Sequence, residues 1–172
     1  MNRLTAIALA VTLGLPSGYF ARGVLQPPVD RVASAFALID AYCKPLFQRR
    51  EVQVGAEMVQ LPYTVVVEHW AEPHSQIIME LNQFSCEISD SLAHFTMEER
   101  AKFEALARAY TEKEFPALAP DEPIGVDQWD LFALWSNKYS KNDPRRRGVI
   151  LARYQQDGPD AGTFMSVNWS AE

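Results

Sequence analysis

The densest chemistry in this chain lies between positions 68 and 74. There Glu68-His69-Trp70-Ala71-Glu72-Pro73-His74 sets two imidazoles and two carboxylates within one short run. His69 and His74 offer nitrogen ligands to Zn²⁺, Glu68 or Glu72 an oxygen ligand, and His94 a further imidazole. The spacing matches no established zinc pattern and H-E-x-x-H is absent. On a strand, His69 points to the face opposite Glu68 and Trp70. A polar hairpin tip beside a packed Trp accounts for the same residues, so a metal held by His69, Glu72 and His74 is a secondary expectation, and no cofactor is expected.

A second cluster is basic. Lys138, Lys141, Arg145, Arg146 and Arg147 fall within one segment together with Tyr139, in a chain whose formal charge is -6. Such a group reads either as a contact for an anion or acidic partner or as a solvated loop that keeps a strand end unpaired. Hydrolytic chemistry has less support, because no G-x-S-x-G nucleophile elbow occurs. The carboxylate pairs Glu98-Glu99 and Asp121-Glu122 suit a helix N-terminus and a loop. The four tryptophans, Trp70, Trp129, Trp135 and Trp169, all fall in segments that read as strands, where core packing is their ordinary use. An uncovered sheet face would turn Trp70 or Trp135 into part of a ligand groove.

The two cysteines, Cys43 and Cys86, must be weighed with the N-terminus. Arg3 precedes the uncharged apolar run Leu4–Leu15, which Pro16, Ser17 and Gly18 break. This is the pattern of a secretory signal, with residues 1–21 as the leader and 22–172 as one domain. The cleavage site is poorly defined: cutting after Ala21 puts Tyr19 at the -3 position, and cutting after Ser17 puts Leu15 there. An uncleaved anchor is the rival reading. The apolar run is short for a membrane helix, so no stable transmembrane span is expected after processing. An even cysteine count behind an export signal predicts a disulfide between Cys43 and Cys86.

The elements that would position these groups follow from periodicity. Val29, Val32, Ala33, Phe36, Ile39, Cys43 and Leu46 recur at three- and four-residue steps, which predicts a helix that Pro45 stops near Cys43 or Lys44. Tyr63–Trp70, Gln76–Leu81 and Phe84–Ile88 read as strands. Thr96 and Glu99 form a capping box that opens a second helix, ended by Pro116, and a loop from Phe115 to Asp127 crosses to the next strand. Trp129–Trp135, apolar on both faces as suits a central strand, Gly148–Tyr154 and Thr163–Trp169 complete a β-meander. No internal repeat is visible. The expected fold is α+β: one antiparallel sheet of five or six strands with two packed helices, in the order α-ββ(β)-α-βββ. The core order ββαβββ resembles the profilin and PAS-like topology, a likeness of fold that implies no function.

Of the 172 residues, 48% are hydrophobic and 22% charged, as in ordinary globular domains. The acidic balance disfavours nucleic acid as a partner. The chain therefore reads as an exported, periplasmic or secreted, non-enzymatic domain that binds a small ligand or an envelope partner. The contact residues would be Trp70, Trp135, Tyr139, Lys141, Arg145, Arg146 and Arg147. A metal-assisted hydrolase near His69, Glu72 and His74, and a purely structural envelope protein, are the alternatives.

Overall fold

Asp30 opens the first helix by accepting a hydrogen bond from the Ala33 N–H through its carboxylate, at 3.0 Å. In the computed structural model, which describes residues 29–62, 67–121, 130–137, 148–155 and 162–169 (backbone alone for 130–132 and 148–155), helix α1 has three parts. It runs as an α-helix over Arg31–Leu38, widens into a π turn over Ile39–Cys43 and resumes as an α-helix over Lys44–Phe47. Pro45 therefore does not stop it. A helix-interior proline lacks a donor and crowds the carbonyl four residues back; here it enters just after the backbone has already widened. The buried stripe also differs from the expected one, already within the regular first part of the helix. Val32, Ala35, Leu38, Ile39, Tyr42 and Cys43 face inward, while Ala33 and Val29 are exposed. Beyond Gln48 the helix closes in a Schellman motif, with Arg49 left-handed (φ 60°) and N–H groups of Arg49 and Arg50 donating to Leu46 and Pro45.

Six strands of five or more residues follow the expected order: β2 Glu68–Glu72, β3 Ile77–Leu81, β4 Ser85–Ser89, β6 Asp130–Ser136, β7 Gly148–Gln155 and β8 Gly162–Asn168. Two-residue strands β1, Val59–Gln60, and β5, Ala119–Pro120, add the edges; the second lies inside the segment expected to be loop. All pair antiparallel in one sheet of order β1-β2-β3-β4-β8-β7-β6-β5. The sheet is a palindrome, two four-strand meanders joined by β4 and β8, with Cys86 opposite Val167 and Ile88 opposite Met165. Each meander coils inward from its own edge, so the last strand of each takes the centre. The Trp129–Trp135 segment, expected to be central, instead gives β6, second from an edge. Residues 63–66 and Trp129 lie outside the described residues, as do the leader over 1–21 and its cleavage.

Helix α2 spans Met97–Glu114 behind the capping box: Glu99 N–H donates to Thr96 Oγ1 at 3.2 Å, and Thr96 N–H donates to Glu99 Oε2 at 2.8 Å. Contacts between the helices hold a nearly constant sequence offset. Asp30 meets Lys102, Arg31 meets Glu99, the Tyr110 hydroxyl donates to Asp40 Oδ1 at 3.1 Å, and Lys44 meets Glu114. The helices thus run parallel, side by side, over one face of the sheet. Their inner sides meet Ile77, Met79, Cys86, Ile88, Met165 and Val167 in a continuous core with Phe36, Phe103 and Phe115. Burial, reinforced by the charge of Asp40, raises the Tyr110 phenol above its ordinary value and keeps it a donor to that carboxylate. The Cys43–Cys86 disulfide joins the π turn to β4, with Cα atoms 5.2 Å apart and both residues fully buried. Among the described residues no helix is long and apolar enough to cross a membrane.

Candidate contact surface

The imidazoles and carboxylates of the 68–74 run do not converge. His69 Nε2 lies 3.2 Å from Glu80 Oε1, its cross-strand neighbour, on the sheet face away from the helices. Glu72 lies on the opposite face, where its carboxylate closes the turn between β2 and β3. It accepts from Ser75 N–H at 2.6 Å, from the Ser75 hydroxyl at 2.5 Å and from His74 N–H at 3.1 Å. Burial raises the Glu72 carboxyl, but the Ser75 and His74 hydrogen bonds outweigh it and leave the group below its ordinary value. A carboxylate occupied in this way is a turn cap. Glu68 is exposed and accepts from the Trp70 indole N–H at 3.2 Å. His74 and His94 are exposed in separate loops. Among the described residues no group of three His, Cys, Asp or Glu side chains is placed to hold a metal.

Of the aromatic candidates, Trp70 is half-buried against the core. Trp135 is a core residue, only 2% exposed, and so offers no ring to a ligand. A large ring on the helix-covered side of a strand gains more from burial than from display. Tyr139, Lys141, Arg145, Arg146 and Arg147 lie outside the described residues, but both ends of their segment are fixed. Ser136 closes β6 opposite Gly148, the first residue of β7. The connection between them leaves the sheet at that end.

Two aromatic residues that the sequence did not single out as contacts lie at the same end. Asn82 builds the β3–β4 turn: its Oδ1 accepts from the N–H groups of Phe84 (2.7 Å) and Ser85 (2.8 Å), and its amide donates to Ser85 Oγ at 2.6 Å. That turn holds Phe84 outward, 42% exposed. Trp169, just past β8, donates its backbone N–H to the Phe84 carbonyl at 2.9 Å and its indole N–H to the Gln83 carbonyl at 2.8 Å. One side of Trp169 packs on the core and the other remains partly open. The register aligns these residues with the roots of the basic segment, since Ser85 is opposite Asn168 and β7 runs beside β8. A large exposed ring held by satisfied hydrogen bonds costs little rotamer entropy on contact. The weak sequence signal was the Asn-Gln-Phe-Ser turn, in which an aromatic occupies an exposed position.

No protein-family model, curated protein or solved structure shows significant similarity to this chain.

Proposed function

We propose that this protein is a non-enzymatic binding domain that works outside the cytoplasm. Its contact surface is the sheet end formed by Phe84, Trp169 and the basic segment with Tyr139, Lys141, Arg145, Arg146 and Arg147. The supporting observation is the common location: the exposed Phe84 ring and the clamped Trp169 flank the strand ends from which the 138–147 connection leaves. Aromatic residues beside Arg form the usual anchor of a protein or anion interface. The partner is an acidic ligand or envelope component that takes up the guanidinium groups and covers the rings.

The buried disulfide supports the compartment, because a bond of this kind persists in an oxidising space. Among the described residues, Glu72, a ligand in the hydrolase alternative, caps a turn with its carboxylate. The test is co-purification from the host envelope with Arg145, Arg146 and Arg147 changed to Ala, and separately with Phe84→Ser. Loss of the same partners in both variants, with the disulfide intact, is the expected result. Full retention in both overturns the assignment of this surface.

A further inference from the structure

Four methionines lie among the described residues, and three of them fill the core, the ordinary use of this flexible side chain. Met58 is 5% exposed, and Met79 and Met165 are fully buried. Met97, the first residue of α2, is 75% exposed. The start of the helix does not need it there. Thr96 and Glu99 satisfy free backbone N–H groups through the capping box, and Glu99 also lies 3.8 Å from Arg31. Nor does Met97 belong to an apolar contact patch, because Glu98 beside it is exposed as well. Its thioether is thus presented to solvent on a helix that other residues hold in place.

The sulfur has a polar neighbour. Arg100 Nη2 donates to Met97 Sδ at 3.5 Å, three residues along the helix. A thioether is a weak acceptor, whereas a sulfoxide oxygen accepts strongly. Hydrogen peroxide oxidises a thioether by two electrons. A sulfur lone pair attacks one peroxide oxygen, and an S–O bond forms as the O–O bond breaks. The proton of the transferred oxygen moves to the departing one, which leaves as water. At Met97 the new oxygen forms on a sulfur that a guanidinium already faces, and it remains hydrated. At Met79 or Met165 the same step would put a strong acceptor into the core, and the oxidant would first have to reach a fully buried sulfur.

We propose that Met97 is a reversible oxidation site of the folded protein, which takes an oxygen atom from peroxide and yields it again to a methionine sulfoxide reductase. In the return step a reductase thiol attacks the sulfoxide sulfur and the oxygen leaves as water. A second thiol then closes a disulfide in the reductase, and the methionine sulfur regains its two electrons. The exposure that admits the oxidant also admits the repair enzyme. Because the capping box and the core both survive the modification, oxidant is consumed here without unfolding the domain. The site lies apart from the contact surface at Phe84 and Trp169 and does not depend on it.

The test exposes the full chain, disulfide intact, to hydrogen peroxide at neutral pH. Samples are quenched over time and digested, and the sulfoxide in each methionine peptide is measured by mass spectrometry. Met97 should gain one oxygen at least tenfold faster than Met58, Met79 and Met165, with the near-ultraviolet circular dichroism unchanged. Incubation with the reductases for both sulfoxide epimers, and dithiothreitol as the reductant, should restore the original mass of that peptide. Met97→Leu should remove the fast addition from the same peptide. Oxidation of Met97 no faster than that of the three core methionines overturns its assignment as the reactive sulfur. Loss of the near-ultraviolet signal in step with Met97 oxidation overturns the claim that the folded protein carries the modification. A sulfoxide that both reductases leave in place overturns its reversal.

Discussion

Asp90 is the residue on which the junction between the two meanders most depends. It is fully buried, and its two carboxylate oxygens accept from the N–H groups of Phe95 and Thr163, each at 2.6 Å. It therefore fixes the start of β8 to the loop that leads into α2. Removing it leaves two buried donors unpaired, each costing about 1–3 kcal/mol. Asp90→Ala should lower stability by about 3 kcal/mol in urea denaturation. Gly162 faces this carboxylate with φ +143°, and a Cβ there would lie 2.5 Å from Asp90 Oδ1. Gly162→Ala should cost about 2 kcal/mol or more from backbone strain and that clash. The Asp90→Ala, Gly162→Ala double variant should lose less than the sum, because removing the carboxylate removes the clash. Sequence could not reveal this pair: an Asp just after a strand and a Gly at the start of one are ordinary residues until the fold brings them together.

Among the elements, α2 was the most legible, because its start rests on contacts three residues apart. The capping box read from Thr96 and Glu99 is present in both directions. Thr96→Ala should cost about 1 kcal/mol, measurable as a lower denaturation midpoint at unchanged slope. Helix α1 was harder to read. Its local signal stops at Pro45, whereas the core holds Tyr42 and Cys43 inward together through a π turn that carries the helix on to Phe47. The disulfide secures that turn to the centre of the sheet. In the chain-entropy account, a bridge closing this loop contributes about 4 kcal/mol. Cys43→Ala with Cys86→Ala should lower stability by about that amount, and each single variant should leave one buried thiol that is alkylated only after unfolding. The sheet edges are short, and Pro120 within β5 and Pro62 just after β1 withhold donors there, which blunts them against pairing with other chains.

Across the whole molecule, ion pairs along the parallel helices set the response to pH. Hydrogen bonds from Lys113 and then Lys44 hold Glu114 down to about 2. The hydrogen bond from Lys102 lowers Asp30, and the turn donors lower Glu72. A carboxylate with a depressed folded value adds stability above its ordinary range and loses it as pH falls through the folded value. Stability should therefore hold from neutral pH to about 4.5 and decline towards about 2. Glu114→Gln should make the lower part of that decline shallower in chemical denaturation at stepped pH. Hydrogen bonds to Glu114 and Asp40 raise Lys44 above its ordinary value. Its contribution is intact below that value and disappears as pH rises through the folded one. The palindromic sheet belongs to this scale as well. The helices break its symmetry by running parallel, and no repeated sequence marks it, because strand pairing needs only alternation and is indifferent to which apolar residue fills each place.

Sequence alone determined the α+β class, the six principal strands, the start of α2 and the pairing of the two cysteines. Each rests on periodicity, on capping between near neighbours, or on having only one possible partner. Tertiary structure decided what depends on distant segments meeting: the central place of β4 and β8, the burial of Trp135, the divergence of His69 from Glu72, and the exposed ring of Phe84 beside Trp169. Alternation along a strand tells which residues share a face. Which face is covered, and which strand lies at the middle, is settled only when helices and sheet compete to bury the same apolar surface.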